Sequence, residues 1–392
     1  MKKLAIVSFG HADSILHFAK TMSSIYKVDL FFVFALNKRI ESILNFEKEI
    51  LKTGFLEEEQ IDRILGKSIK GFINNNFNVR FFINHNLKVR SLKNIKLARK
   101  LSKVLNEYDI VHFNGMDATL ILINYFLRKK NRVFTIHDVK LHTGEKDREV
   151  LNAAETYVKW ILKSRYQVIL QNRTDYDEVL ETFPDKENKI NLIPFKCLSI
   201  FRNFYDENAI KEVSDILFFG RISPYKGLKY LVESIDEVRR KYPEVRVLVA
   251  GSGEIDKDIP KEKLNGNFII YNRYITNEEM AGFIANTKIV VCPYTDATQS
   301  GVVMTSFAFG KPVIASAVGG FPEVIIDGKT GLLVPPADTG KLSDAIIRLL
   351  SDKKILTAMS DNINQKCENG FLSWDSITND AVKVYEKVTK NE

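Results

Sequence analysis

Two cations and one stretch of bare backbone are the residues in this sequence best able to do chemistry. Arg221 and Lys226 stand five apart in 217-LFFGRISPYKGLKYLVES-234, across a strand-to-helix turn, so both can reach one bound diphosphate. Arginine brings a planar fork of donors and lysine a mobile point charge. Ser300 and Gly301 open a short helix of small residues, where unpaired N–H groups and the helix dipole favour an anion. His137 follows an apolar run at 132–136, and the C-terminal ends of parallel strands are where α/β ligand crevices open. Each has a plainer reading alone: a surface ion pair for either cation, Gly and Pro punctuating a βαβ unit, a structural histidine at a strand end.

The elements that must position these groups alternate in the manner of α/β proteins. Residues 4–9 read as a central parallel strand closed by Gly10, 13–26 as a helix with Ile15, Leu16, Phe18, Ala19 and Met22 on one stripe, and 28–36 as a strand. The opening lacks a full G-x-G-x-x-G, so it is not read as a dinucleotide site. A polar, largely helical excursion is expected over 39–107. Strands follow at 109–113, 132–136, 167–171 and 190–193, with helices between them and a linker at 194–214. The second half opens with a strand at 216–219 and continues with strands near 245–250, 267–270, 289–292 and 313–316. Thr276 and Glu279 form a capping box for a helix at 277–285, and Asp338 caps a helix to 350. Asp256 stands where a dinucleotide fingerprint would need its third glycine, which argues against NAD.

A length of 392 residues suggests two domains, and 45% hydrophobic with 27% charged residues is ordinary globular composition. No apolar run approaches the ~18 residues of a membrane span, and the basic-then-apolar N-terminus stops at Phe9, too soon for a signal peptide. Cys197, Cys292 and Cys367 are far apart and in no metal spacing, so reduced thiols in a cytoplasmic protein are expected. The net charge of +8 is concentrated: residues 63–106 hold eleven Lys or Arg and no Asp or Glu, interleaved with Phe72, Phe77, Phe81 and Phe82. Such a segment can meet an anionic membrane face or a lipid pyrophosphate, or simply be a solvated helix face. Nucleic acid is not expected as a partner, because no recognition motif accompanies the charge.

Three motifs in order carry a resemblance. They are 217–234 above, 271-YNRYITNEEMAGFIANTKIVVCPY-294, and the run G-K-P-V-I-A-S, G-G-x-P-E-V, D-G-x-T-G-L-L-V-P-P-x-D over 310–338. Together they resemble the donor-binding core of the retaining GT-B glycosyltransferases of family 4. The resemblance implies two Rossmann-like domains with parallel sheets facing across a cleft, and a C-terminal helix crossing back to the first. The boundaries expected are 1–195, 196–370 and 371–392, with Trp374 anchoring the last segment. It implies transfer of a hexosyl group from a UDP- or GDP-sugar to a hydroxyl of a glycan or lipid-linked acceptor, with retention, in polysaccharide or glycoconjugate synthesis. Arg221, Lys226 and the Ser300-Gly301 amides would meet the charge on the leaving diphosphate without a metal or other cofactor. Thr135, His137 and Asp138 match a family motif whose histidine contacts the transferred sugar, and His142 is a weaker second. Gly10 and His11 would border donor and acceptor. Gly220, Arg273, Tyr274, Ile275, Gln299, Val302 and Thr305 complete the expected donor contacts, with 272–275 against the base.

The sequence departs from the family at one place. Typical members carry two glutamates eight apart around the helix after Gly301; here those places fall on Ala297 and Thr305, or on Thr298 and Ser306. Asp296 and Gln299 are the nearby polar substitutes, and Thr305 or Ser306 could hydrogen-bond a ribose. A non-catalytic nucleotide-sugar-binding protein and a GT-B-like sugar-nucleotide epimerase therefore stand as alternatives. Peripheral contact with the inner membrane face through 63–106 accompanies the lipid-linked option.

Overall fold

The structure is a computed structural model that describes residues 1–36, 43–46, 52–86, 91–115, 117, 119–128, 131–137, 139, 148–208, 212–297 and 301–390, with 148–155 as backbone only. The chain forms two compact units, one of Met1–Phe195 with Ile377–Glu392 and one of Lys196–Ser376.

The first unit begins β1 (Lys3–Ser8), α1 (Ala12–Met22), β2 (Lys27–Ala35), β3 (Gly54–Phe55), α2 (Glu58–Ile73) and β4 (Asn78–Asn84). It continues α3 (Leu92–Leu105), β5 (Ile110–Asn114), α4 (Thr119–Phe126), β6 (Arg132–Ile136), α5 (Arg148–Lys163), β7 (Gln167–Leu170), α6 (Arg173–Thr182) and β8 (Ile190–Leu192). Its sheet runs β3-β4-β2-β1-β5-β6-β7-β8, parallel except for the short β3 on β4. β1 carries Leu4, Ala5, Ile6 and Val7, all fully buried, as expected for a strand covered on both faces. The strand order reverses between β1 and β5, so the loops after Ser8 and Asn114 flank a switch point.

β4 corrects the expectation of a helical excursion. Phe81 and Phe82 alternate to opposite faces of the sheet and both are fully buried; Phe72 and Phe77 are buried as well. Burying a phenylalanine is worth about 1.5–3 kcal/mol, so these rings go to the core and not to a membrane face. Several of the cations are also engaged locally: Lys70 pairs with Asp62, Arg63 with Glu59 and Arg80 with Asp29. Lys88 and Arg90 lie outside the described residues. No described helix is long and apolar enough to cross a membrane.

The second unit holds β9 (Ser214–Phe219), α7 (Leu228–Lys241), β10 (Val247–Ala250), β11 (Phe268–Tyr271), α8 (Asn277–Ala285), β12 (Thr287–Cys292), α9 (Gly301–Ala308), β13 (Val313–Ser316), α10 (Phe321–Val324), β14 (Gly331–Val334), α11 (Thr339–Ser351) and α12 (Lys353–Asn369). Its all-parallel sheet runs β11-β10-β9-β12-β13-β14, with the switch point between β9 and β12. Local chemistry sets the helix starts: Thr276 and Glu279 close a reciprocal capping box at α8, and Asp338 Oδ1 accepts the Lys341 N–H at α11.

The expected linker is structure instead. Leu198 and Ile200 are fully buried in the second unit, and Cys197 is bonded to Cys367, with Cα atoms 5.8 Å apart. This overturns the expectation of three free thiols, since a separation of 170 residues hides the pairing from any spacing rule. Trp374 stays with the same unit and donates to the Cys197 carbonyl at 2.7 Å. The final helix, α13 (Thr378–Thr389), packs on the first unit, where the buried Tyr385 hydroxyl meets His112 Nδ1 at 2.7 Å.

Candidate active site

The loops after β9 and β12 flank the switch point of the second sheet, and Arg221 and Lys226 are on the first of them. Gly220 turns the chain at φ 100°, and a Cβ there would lie 3.0 Å from Lys226 Nζ and 3.4 Å from Val302 Cγ2. The bare glycine therefore lets the ammonium and the first turn of α9 converge on one spot. Gly227, at φ 69°, begins α7 so close to the loop after β12 that an added Cβ would sit 2.0 Å from the Pro293 carbonyl oxygen. Thr295 N donates to Tyr225 O at 2.8 Å and fastens the same two loops together.

Lys226 is 8% exposed, lies 5.4 Å from the Tyr294 ring, and has no carboxylate partner among the described residues. Burial pulls its basicity down to about 8, against the pull of the nearby Cys292 sulfur and helped by the charge of Arg221. Burial also pushes the Cys292 thiol up to about 12, so at neutral pH it is uncharged and supplies no counter-ion. Arg221 is exposed at the same turn, and it too has no carboxylate partner among the described residues. Two adjacent cations without a described counter-charge, at the ends of parallel strands, form an arrangement that an oxyanion completes.

The other expected donor residues divide. Gly301 and Val302 are at the start of α9, while Gln299, Ser300 and Thr298 lie outside the described residues. Thr305 is buried, and its hydroxyl donates to the Gly301 carbonyl at 2.7 Å; buried Ser306 does the same to Val302. Both donor protons are thus used inside the helix, and Ala297 is buried. Asp296 is exposed. Arg273, Tyr274 and Ile275 follow the edge strand β11, two strands away from β9. Arg273 grips Glu279 through both oxygens at 2.6 and 2.8 Å and donates to Tyr274 O, so it braces the loop; Tyr274 is 47% exposed.

Gly10 and His137 are on the first unit, with open space beside Gly10. His137 follows β6, the strand beside β5, and its Nε2 lies 3.1 Å from Asn114 Oδ1 at the switch point. Its ring stacks on His11, with centroids 3.6 Å apart and planes at 15°. Burial, then the charge of His11, hold its basicity well below that of an ordinary histidine, so it is neutral at physiological pH. Asp138 and His142 lie outside the described residues. Asn114 is the residue that sequence reasoning missed: it was visible only as half of an Asn-Gly turn. Among the described residues, no cluster of His, Cys, Asp and Glu could hold a metal.

Residues 213–352 match the family model for "Glycosyl transferases group 1". Alpha-D-kanosaminyltransferase of Streptomyces kanamyceticus is 30% identical over 152 residues, 38% of this chain and 39% of that protein. MMP alpha-(1->4)-mannosyltransferase of Mycolicibacterium hassiacum is 24% identical over 319 residues, 75% of this chain and 74% of that protein. The chain thus spans about two fifths of the first relative and three quarters of the second. Among solved structures, HepE of Anabaena with UDP and glucose superposes at TM-score 0.66 and 16% identity, over 99% of this chain and all of that one. Sucrose-phosphate synthase of Thermosynechococcus elongatus gives 0.64 and 17% over the whole of both chains. At such identities the likeness speaks for the fold.

Proposed function

From its place among the GT-B-fold glycosyl transferases of group 1, to which this chain belongs through residues 213–352, we propose that it moves a hexosyl group from a nucleoside-diphosphate sugar to a hydroxyl acceptor. The observation that carries the reading is Lys226: a buried ammonium beside Arg221 and a bare glycine, with no described carboxylate against it. Departure of the nucleoside diphosphate places negative charge on its β-phosphate, and these two cations meet that charge as it develops. They take the neutralising role that a divalent ion would otherwise fill, with the N–H groups at the start of α9 adding to it. In this reading, His137 orients the transferred sugar as a neutral imidazole. The family resemblance supports retention of anomeric configuration and a UDP- or GDP-sugar donor, and the UDP and glucose in the HepE complex favour a UDP-sugar.

A thermal-shift screen of UDP-, GDP- and ADP-sugars tests the reading, since a ligand that binds only the native state raises the melting point. At least one diphosphate should raise it, and Arg221→Ala should abolish the rise. A rise that survives Arg221→Ala unchanged would refute the site. A second reading, nucleotide-sugar binding without transfer, is favoured by one observation: the sequence from 296 to 309 contains no glutamate, and the Thr305 and Ser306 hydroxyls donate into their own helix. Transfer to an added sugar or glycan acceptor separates the two. Conversion of the donor with no acceptor present would instead mark an epimerase.

A further inference from the structure

We propose that His11 is a positioning residue for His137, its imidazole lying flat on that of His137 and fixing the plane of the second ring. This rests on the transferase reading above, in which His137 orients the sugar.

The geometry is built from three strand ends of the first unit. His11 follows β1, Asn114 ends β5 and His137 follows β6. The two rings are 3.6 Å apart and nearly parallel, and both pack over Gly115, where an added Cβ would touch each Cδ2 at 3.8 Å. Asn114 Nδ2 donates to Ser8 Oγ at 3.1 Å, and Ser8 Oγ donates to the Gly10 carbonyl at 2.5 Å. That chain fixes the amide orientation, so Oδ1 faces His137 Nε2 and takes an N–H from it. Gln171 also hydrogen-bonds the ring. The edges of His137 are therefore held by amides and one face by His11.

His11 reaches this position at φ 52°, ψ 45°, the left-handed region that a non-glycine residue occupies at a cost. Glycine would suit that backbone better, so the side chain is what the position uses. Stacking also has an electrostatic effect, because two cationic imidazoles at this spacing repel: after burial, the neighbouring His11 further lowers the basicity of His137. Among the described residues, the other titratable groups that act on the pair are Asp13 on α1, whose carboxyl burial raises, and His112 on β5. His17 on α1 is held through the Asp13 carbonyl, and Asp175 on α6 accepts the Val139 N–H at 3.3 Å.

The test compares His11→Gly, which relieves the backbone, with His11→Phe, which keeps a flat ring and removes the charge. Turnover, UDP affinity and the histidine NMR titration of His137 are read in each. His11→Gly should lower kcat about tenfold or more, a scale typical of lost orientation, with UDP affinity unchanged and His137 titrating at higher pH than in the parent. His11→Phe should restore turnover to within about threefold of the parent. Parent values of both kcat and His137 titration in His11→Gly would overturn the proposal, as would His11→Phe as impaired as His11→Gly. If no donor and acceptor pair gives turnover, the titration still decides the His11–His137 coupling, while UDP binding at Arg221 decides the transferase reading separately.

Discussion

Replacing Lys226 with methionine separates a binding role from a structural one, because the two predict opposite changes in stability. Methionine keeps the length of the side chain and removes its charge. Burial takes the Lys226 ammonium from its ordinary 10.5 to about 8. At about 1.4 kcal/mol per pH unit, that drop is an unfavourable term of about 3 kcal/mol at most. The sign follows from the direction. The folded value lies below the unfolded one, so the native state binds fewer protons between pH 8 and 10.5, and stability rises with pH across that window. Below pH 8 the full penalty is present. Lys226→Met should therefore raise the free energy of unfolding by about 1–3 kcal/mol at pH 7, and its advantage should vanish as pH approaches 10.5. The same change removes a charged contact to the diphosphate, worth about 1.5–3 kcal/mol, and should weaken UDP about 10- to 150-fold. Urea denaturation at pH 7 and 9 with calorimetric titration of UDP makes the measurement. A variant that is less stable at pH 7 and binds UDP as before would refute the reasoning, because Lys226 would then be a structural cation.

Four further outcomes are expected. Arg221→Ala, at an exposed position with no described ion pair, should change stability by less than about 0.5 kcal/mol, yet lower transfer at least about 100-fold, read as kcat/KM. Gly227→Ala should lower the free energy of unfolding, read by urea denaturation, by more than about 2 kcal/mol, because its Cβ would overlap the Pro293 carbonyl and φ is 69°. His17 and His112 are held down to about 4 and about 3 by burial. Folded values below the unfolded 6.5 mean stability present above that pH and lost on acidification, with the fall in urea stability beginning near 6. Transfer measured with excess chelator should match transfer without it, since Arg221 and Lys226 carry the neutralising charge in the proposed chemistry; a loss restored by a divalent ion would move that role to a metal.

What sequence reasoning reached, it reached through short-range rules. The apolar runs that became β1, β6, β9, β12 and β13 are continuous because parallel strands are covered on both faces. The capping box of Thr276 and Glu279 and the Asp338 cap are set by residues three apart. The spacing of Arg221 and Lys226 needed only one turn of chain. β4 escaped because its phenylalanines are embedded among lysines and arginines, and only the neighbouring strand and the helices above show which side chains go inward. Likewise, 196–204 looked like a linker because its partners, Met304, Leu372 and Cys367, come from much later in the chain.

By itself, then, the sequence determined two parallel α/β units and the loop that bears the paired cations, since periodicity and turn chemistry are local. Tertiary structure alone decided that Lys226 is buried without a described counter-charge, that Cys197 meets Cys367, and that His11 lies on His137. Burial and stacking depend on which distant strands become neighbours, and neither the basicity of a lysine nor the plane of an imidazole is fixed until the sheet has formed.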